Sequence, residues 1–208
     1  MTAPLHLDDR PLSRRDRREA AHVASRAFLH DAYFDYLLPG EHFRARALPI
    51  LFAGQIGHLG RFARVVVARD DDERIVGVSV WLTTGGFPLS IGAQVAQAPS
   101  ALRALYQRPR SLKVGGVYLR ELLRVHPKEP HWYLMLLAVD PTMQRRGVGT
   151  LLMNDAVARV DAEHVGAHLD TQKEDNHAYY RRFGFELRET LRPMPGGPPY
   201  YTMWRAPR

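Results

Sequence analysis

The sequence predicts an α/β fold, one domain with a mixed central sheet flanked by helices. Three observations carry this. Apolar residues recur at helical spacing in some segments and form short strand-length runs in others. In the second half the two kinds alternate as strand, helix, strand, helix, strand, strand. The chain has 208 residues and 45% hydrophobic content, enough for one sizeable core and too much for a disordered chain.

Residues 5–12 read as a first strand bracketed by Pro4 and Pro11. Ser13 and Asp16 then have the spacing of a capping box, with Ala20, Val23, Ala24, Ala27 and Phe28 at helical period behind it. A second helix is expected from Glu41 to about Phe62, carrying Leu48, Leu51, Phe52, Ile56 and Leu59. "RVVVA" at 64–68 and "IVGVSVWL" at 75–82 flank the charged turn "RDDDE" and predict a hairpin. Residues 83–125 open with Gly85, Gly86 and Pro88 and hold two helical patterns, a helical insertion before the central strand.

"HWYLMLLAV" at 131–139 is apolar on both faces and predicts a central strand. Val148, Leu151, Leu152 and Ala156 give the next helix its inner stripe. "GAHLDT" at 166–171 is a strand, and a short helix at about 175–182 ends before Gly184, a natural residue for the C′ position. Strands near 185–191 and 200–204 close the chain around "PMPGGPP". The whole of 1–208 is expected to be a single domain.

Composition narrows the function. There is no cysteine, which excludes disulfides, thiolate metal sites and a cysteine nucleophile. The ten histidines show no metal-ligand spacing such as HExxH, so no metal is expected. The N-terminal stretch lacks an apolar secretory core and no apolar run is long enough to span a bilayer, so a cytoplasmic protein without a membrane partner is expected. The formal net charge of +7 favours anionic partners. Charge alone does not choose among nucleic acid, an acidic membrane and a phosphorylated cofactor, but the arginines are scattered rather than run together, which argues against a nucleic-acid tail.

"DPTMQRRGVGT" at 140–150 joins the central strand to its helix. A glycine turn there leaves backbone N–H groups without helical partners and adds the positive end of the helix dipole, an anion site suited to phosphate. Arg145 and Arg146 add charge. Leu152 stands where a dinucleotide fingerprint needs a small residue, and Thr150 follows Gly149 without the lysine of a nucleotide-triphosphate loop. The alternative is that Gly147 and Gly149 only permit a tight turn.

Gln144-Arg145-Arg146-Gly147-Val148-Gly149 matches the Q/R-x-x-G-x-G/A signature of the GNAT acyltransferases, with "LLAVDP" before it and "NHAYYRRFGF" beyond. The chain therefore resembles that family. Within it, "HPKEPHWYL" at 126–134, Asn176-x-x-x-Tyr180 and the Pro-Gly-Gly-Pro segment before "MWR" look like the puromycin N-acetyltransferase group. The resemblance covers about residues 126–205 and implies a GNAT-like α/β fold, acetyl-CoA as acetyl donor, and a primary amine of a small molecule as acceptor. It implies that the turn, Gln144 to Thr150, holds pyrophosphate, that backbone groups of Leu137, Ala138 and Val139 pair with the pantetheine arm, and that Asn176 contacts the cofactor.

Direct attack in a ternary complex is expected, since no cysteine can carry the acyl group. Tyr180 is the candidate proton donor to the leaving thiolate. It shares a helix face with Asn176 and Phe183 at i, i+4 and i+7 spacing, although Tyr179 could point into the site instead. Asp170 is the candidate base, standing where related enzymes carry Glu; equally, it could order the following turn. Glu129, His131 and Tyr133 are weaker candidates. Tyr33, Phe34 and Tyr36 could line an acceptor pocket or simply pack. A protein N-terminal or lysine acetyltransferase, and a silent CoA-binding module, remain the other readings.

Overall fold

Ser13 and Asp16 form the expected capping box, with Asp16 N–H on Ser13 Oγ and Ser13 N–H on Asp16 Oδ2, each at 3.1 Å. In the computed structural model, which describes residues 5–106 and 108–208, helix α1 then runs Arg14–Ala27. The chain continues as α2 (Ala32–Leu37), α3 (Glu41–Gly57), the hairpin β2 (Ala63–Arg69) and β3 (Ile75–Leu82), and the inserted helices α4 (Ile91–Leu105) and α5 (Pro109–Val125). The second half is β4 (His131–Val139), α6 (Val148–Ala162), β5 (Gly166–Thr171), α7 (Asn176–Arg181), β6 (Glu186–Leu191) and β7 (Tyr200–Arg205). With β1 (His6–Asp8) the strands form one seven-stranded sheet in the order β1-β2-β3-β4-β5-β7-β6. Only β4 and β5 are parallel; the other neighbours are antiparallel.

Three expectations are corrected. The first strand covers only His6–Asp8, because the Asp8 carboxylate accepts the Arg10 N–H at 3.1 Å and turns the chain away. Pro4 lies outside the described residues. The helix from Glu41 stops at Gly57 rather than Phe62, in a segment that holds Gly57 and Gly60, the latter at φ +79°. Helix α2 was not expected; Asp31 caps it by accepting the Tyr33 N–H at 3.0 Å. The central strand has the expected bounds.

That strand is irregular at one place. Val80 pairs with Leu136 but Trp81 pairs with Leu134, so Met135 is an extra residue, a β-bulge. Side-chain directions change phase across it. Trp132 and Leu134 pack with Met153, Ala156 and Tyr180 on the α6/α7 side. Leu136 and Ala138 pack with Val23, Ala24 and Leu48 on the α1/α3 side. The parallel pairing with β5 also ends there: it runs from His131↔Gly166 to Leu134↔Leu169 and stops, while β4 continues five residues further. Past the bulge the two strands stand apart.

Candidate active site

The gap between β4 and β5 opens into a cavity of about 990 Å³. Its floor is the far half of β4. The Asp140 N–H donates to Val76 O at 2.9 Å, so Asp140 faces β3 with its backbone. Backbone groups alternate along an antiparallel strand, hence those of Ala138 also face β3, and those of Leu137 and Val139 point into the gap. Of the expected trio, Leu137 and Val139 thus face the gap and Ala138 faces β3. The Val139 carbonyl accepts from Gln144 Nε2 at 3.2 Å.

The turn beyond β4 is built for open donors. Gly147 is the N-cap of α6 in the left-handed region, φ +86°, and no side chain caps the helix. The first N–H groups of α6 therefore have no intrahelical acceptor. Arg145, itself at φ +61°, lines the cavity with Gln144, Gly147, Gly149 and Thr150. Arg146 is exposed and is not among the lining residues, and the Val148 side chain is buried away from the cavity beside Leu152. Arg26 of α1 holds Asp140 at the head of the turn at 2.5 Å.

Asp170 stands at the end of β5 where the pairing with β4 has ceased. The Tyr133 hydroxyl donates to its Oδ1 at 2.7 Å, and Tyr200 lies against the same carboxylate. Desolvation pushes the Asp170 pKa up to about 6, although the two hydroxyls favour its charged form. The ring of Tyr133 is fixed in turn by His168, stacked at 5.6 Å.

Tyr180 is placed by the end of α7. Gly184, at φ +85°, takes the C′ position of a Schellman motif: its N–H bonds Arg181 O at 2.9 Å and the Phe185 N–H bonds Tyr180 O at 3.3 Å. The Tyr180 ring lies against Phe185 and lines the cavity within electrostatic reach of Asp170. Burial pushes its phenol pKa up, so it stays protonated at neutral pH. Tyr179 also lines the cavity, on the side of the glycine turn, with its pKa pushed up to about 12 by desolvation. Asn176 is the first residue of α7, Asp175 being the N-cap, and donates from Nδ2 to Thr171 Oγ1 at 2.9 Å.

The other candidates fall elsewhere. Glu129 is exposed and pairs with Arg188 at 3.5 Å. His131 bonds Glu129 O at 2.6 Å and His126 Nε2 at 3.0 Å, and does not line the cavity. Tyr133 reaches the site only through Asp170. Tyr33 and Phe34 line the cavity, whereas Tyr36 turns outward and donates to Pro195 O at 3.1 Å. Sequence reasoning missed Tyr200 and Tyr118 as lining residues, and Phe28 and Phe52 enter it only as parts of helix stripes. Their periodicity marks them as core, and only the folded arrangement shows them bordering a void.

A family model described as the acetyltransferase (GNAT) family matches residues 27–185, and the chain belongs to that family. Solved structures show the same fold. One is of histone acetyltransferase HPA2 and related acetyltransferase from Corynebacterium glutamicum, with 24% identity over 100% of this chain and 98% of that one, TM-score 0.69. Another is PaiA N-acetyltransferase from Thermoplasma acidophilum in complex with coenzyme A, with 11% identity over 98% and 99%, TM-score 0.58. A third is a phosphinothricin acetyltransferase from Sinorhizobium meliloti in complex with AcCoA, with 16% identity over 100% and 89%, TM-score 0.54. Among the described residues, no helix is long and apolar enough to cross a membrane.

Proposed function

We propose that this cavity transfers the acetyl group of acetyl-CoA to the primary amine of a small molecule, by direct attack in a ternary complex. The observation that carries the reading is the splay of β4 from β5. It leaves the backbone of Leu137 and Val139 without a partner strand on the floor of a cleft that ends in the open N–H groups of α6. An extended chain with amide groups can complete such an edge as an added strand, and a pyrophosphate suits the glycine turn. Two relatives of the same fold were solved with coenzyme A or AcCoA.

In this reading the Leu137 and Val139 backbones hold the pantetheine arm, while Gly147, Val148, Gly149 and Thr150 offer N–H groups to the pyrophosphate. Arg145 supplies charge at the rim, Gln144 the polar edge beside Val139, and Asn176 fixes Thr171 at the opposite wall. The acceptor gives up its ammonium proton to solvent, and the neutral amine nitrogen then attacks the thioester carbonyl carbon. As the N–C bond forms, nitrogen becomes acidic and Asp170 takes its proton. As the C–S bond breaks, Tyr180 gives a proton to sulfur; both groups then reset through solvent. The puromycin N-acetyltransferase likeness of residues 126–205 supports a small-molecule acceptor.

Calorimetric titration with acetyl-CoA, followed by amine-dependent release of CoA thiol, tests the reading. Saturable binding and release only when an amine is present are expected. A stoichiometric acetyl adduct in intact mass after incubation with acetyl-CoA alone, or no binding, would overturn it.

A further inference from the structure

The cavity has two chemically different ends. Two of the lining cations, Arg145 in the glycine turn and Arg182 over the Tyr179 ring at 4.9 Å, stand at one end, and the third, Lys173, is paired with Asp31 at 3.6 Å. The opposite end is walled by rings from three helices and the loop after α1. Phe28 meets Phe34 at 5.6 Å, Phe34 meets Phe52 at 5.5 Å, and Tyr33 meets Tyr118 at 4.9 Å, all three pairs edge-to-face. Leu119, Leu122 and Met135 complete that wall. Interlocked rings of this kind are a preformed apolar surface that does not rearrange to meet polar groups.

Carboxylates are scarce. Asp31 and Asp170 are the two acidic residues among those lining the cavity. Asp31 is already committed: it caps α2 through the Tyr33 N–H at 3.0 Å and faces Lys173 Nζ at 3.6 Å. That leaves Asp170 as the one lining carboxylate for an incoming ammonium, with Tyr33, Tyr180 and Tyr200 as its neighbours in the cavity wall.

From this layout we infer that the acceptor carries a single amine on an apolar body of aromatic size, without carboxylate or phosphate. The inference rests on the acetyl-transfer reading above. An acceptor with several ammonium groups would leave all but one of them buried without a partner. A carboxylate or phosphate on the acceptor would be placed against rings, where the nearest cation, Lys173, already faces Asp31 at 3.6 Å. A lysine-rich peptide meets a further obstacle: residues 91–128, which include the cleft-lining Tyr118 and Leu119, carry seven basic side chains and one acidic one, Glu121. Net positive charge in that segment disfavours the approach of a polycation.

The test measures CoA-thiol release at saturating acetyl-CoA with 2-phenylethylamine, phenylalanine, spermidine and an oligolysine peptide. The expected order places 2-phenylethylamine first in kcat/KM by roughly 100-fold or more over the others, the scale on which sites reject groups they cannot pair. Phe34→Ala should raise the KM for 2-phenylethylamine about 3- to 10-fold, the worth of one ring contact, while the calorimetric Kd for acetyl-CoA stays at its wild-type value. Equal or faster turnover of phenylalanine, spermidine or the peptide overturns the inference and leaves the acetyl-transfer reading intact. Acetyl-CoA binding with no turnover of 2-phenylethylamine also overturns it. Failure to bind acetyl-CoA at all removes the acetyl-transfer reading itself.

Discussion

A Cβ on Gly149 would stand 2.8 Å from the hydroxyl oxygen of Tyr179. Nothing crowds the same construction at Gly147, where the demand is conformational instead, φ +86°. The two glycines of the motif are therefore glycines for different reasons. One admits a turn that a side chain would strain; the other admits a phenol from α7 against the first turn of α6.

That contact gives a prediction. Gly149→Ala should weaken acetyl-CoA binding because the methyl pushes Tyr179 or the start of α6 aside. Adding Tyr179→Phe removes the oxygen, leaving the nearest ring carbon of the wild-type geometry at 3.6 Å, an ordinary contact. Calorimetry should show affinity largely restored in the double variant. If Tyr179→Phe rescues nothing, the methyl is acting on the ligand rather than on the phenol.

Tyr180→Phe keeps the ring against Phe185 and deletes the proton. A positioned acid contributes ~10² to 10⁴-fold, so kcat should fall by about that factor with the Kd for acetyl-CoA unchanged. Tyr179→Phe should leave kcat within about threefold, since its hydroxyl lies at the turn and away from Asp170. A reversed pattern would exchange the roles of the two tyrosines.

As the proposed base, Asp170 is expected to set the acid side of the pH profile. Its pKa, raised to about 6, predicts that kcat/KM climbs with pH through that value as the carboxylate ionises. Asp170→Asn should lose most activity and the rising limb together. Stability runs the other way. Between the ordinary value of 3.8 and about 6 the folded protein holds more protons on this group than the unfolded chain, so rising pH destabilises it across that window. Asp170→Asn is expected to raise Tm at pH 8 by a few degrees, at ~2–4 °C per kcal/mol for a chain this long, with the gain gone near pH 4. Equal Tm differences at both pH values would show that the site does not strain this carboxylate.

The arginines of the turn should separate. Arg145 lines the cavity and Arg146 does not. Arg145→Ala should weaken acetyl-CoA binding and flatten its dependence on ionic strength; Arg146→Ala should change both less, because an exposed charge farther from the ligand is screened. Isothermal titrations over a salt series decide it. Matching slopes for the two variants would mean that only the net charge matters.

Local chemistry was legible in the sequence, and long-range geometry was not. The capping box of Ser13 and Asp16, the bounds of β4 and the C′ role of Gly184 all depend on neighbours within a few residues. Helix α2 escaped notice because six residues with three aromatics carry too little periodicity to register. The Tyr133–Asp170 bond joins residues 37 apart across two strands, and no spacing rule reaches that far. Ala138 was grouped with Leu137 and Val139 because the motif is contiguous; strand alternation, visible only once the pairing with β3 is known, divides them. Likewise Val148 belongs to the motif as letters but to the core as a side chain.

Met135 makes β4 one residue longer than its antiparallel partner needs. Excising it is the one single-residue shortening of that strand that would leave Trp132, Leu134, Leu136 and Ala138 each on its present side. The straightened strand could then zip onward along β5, whose Asp170 and Thr171 extend beyond the last parallel pair. The shortened chain should be harder to unfold and unable to bind acetyl-CoA, since the rungs it gained would be those proposed for the pantetheine arm. The groove thus persists as a deliberately unfinished ladder, and the cost of keeping it open is borne by the resting fold.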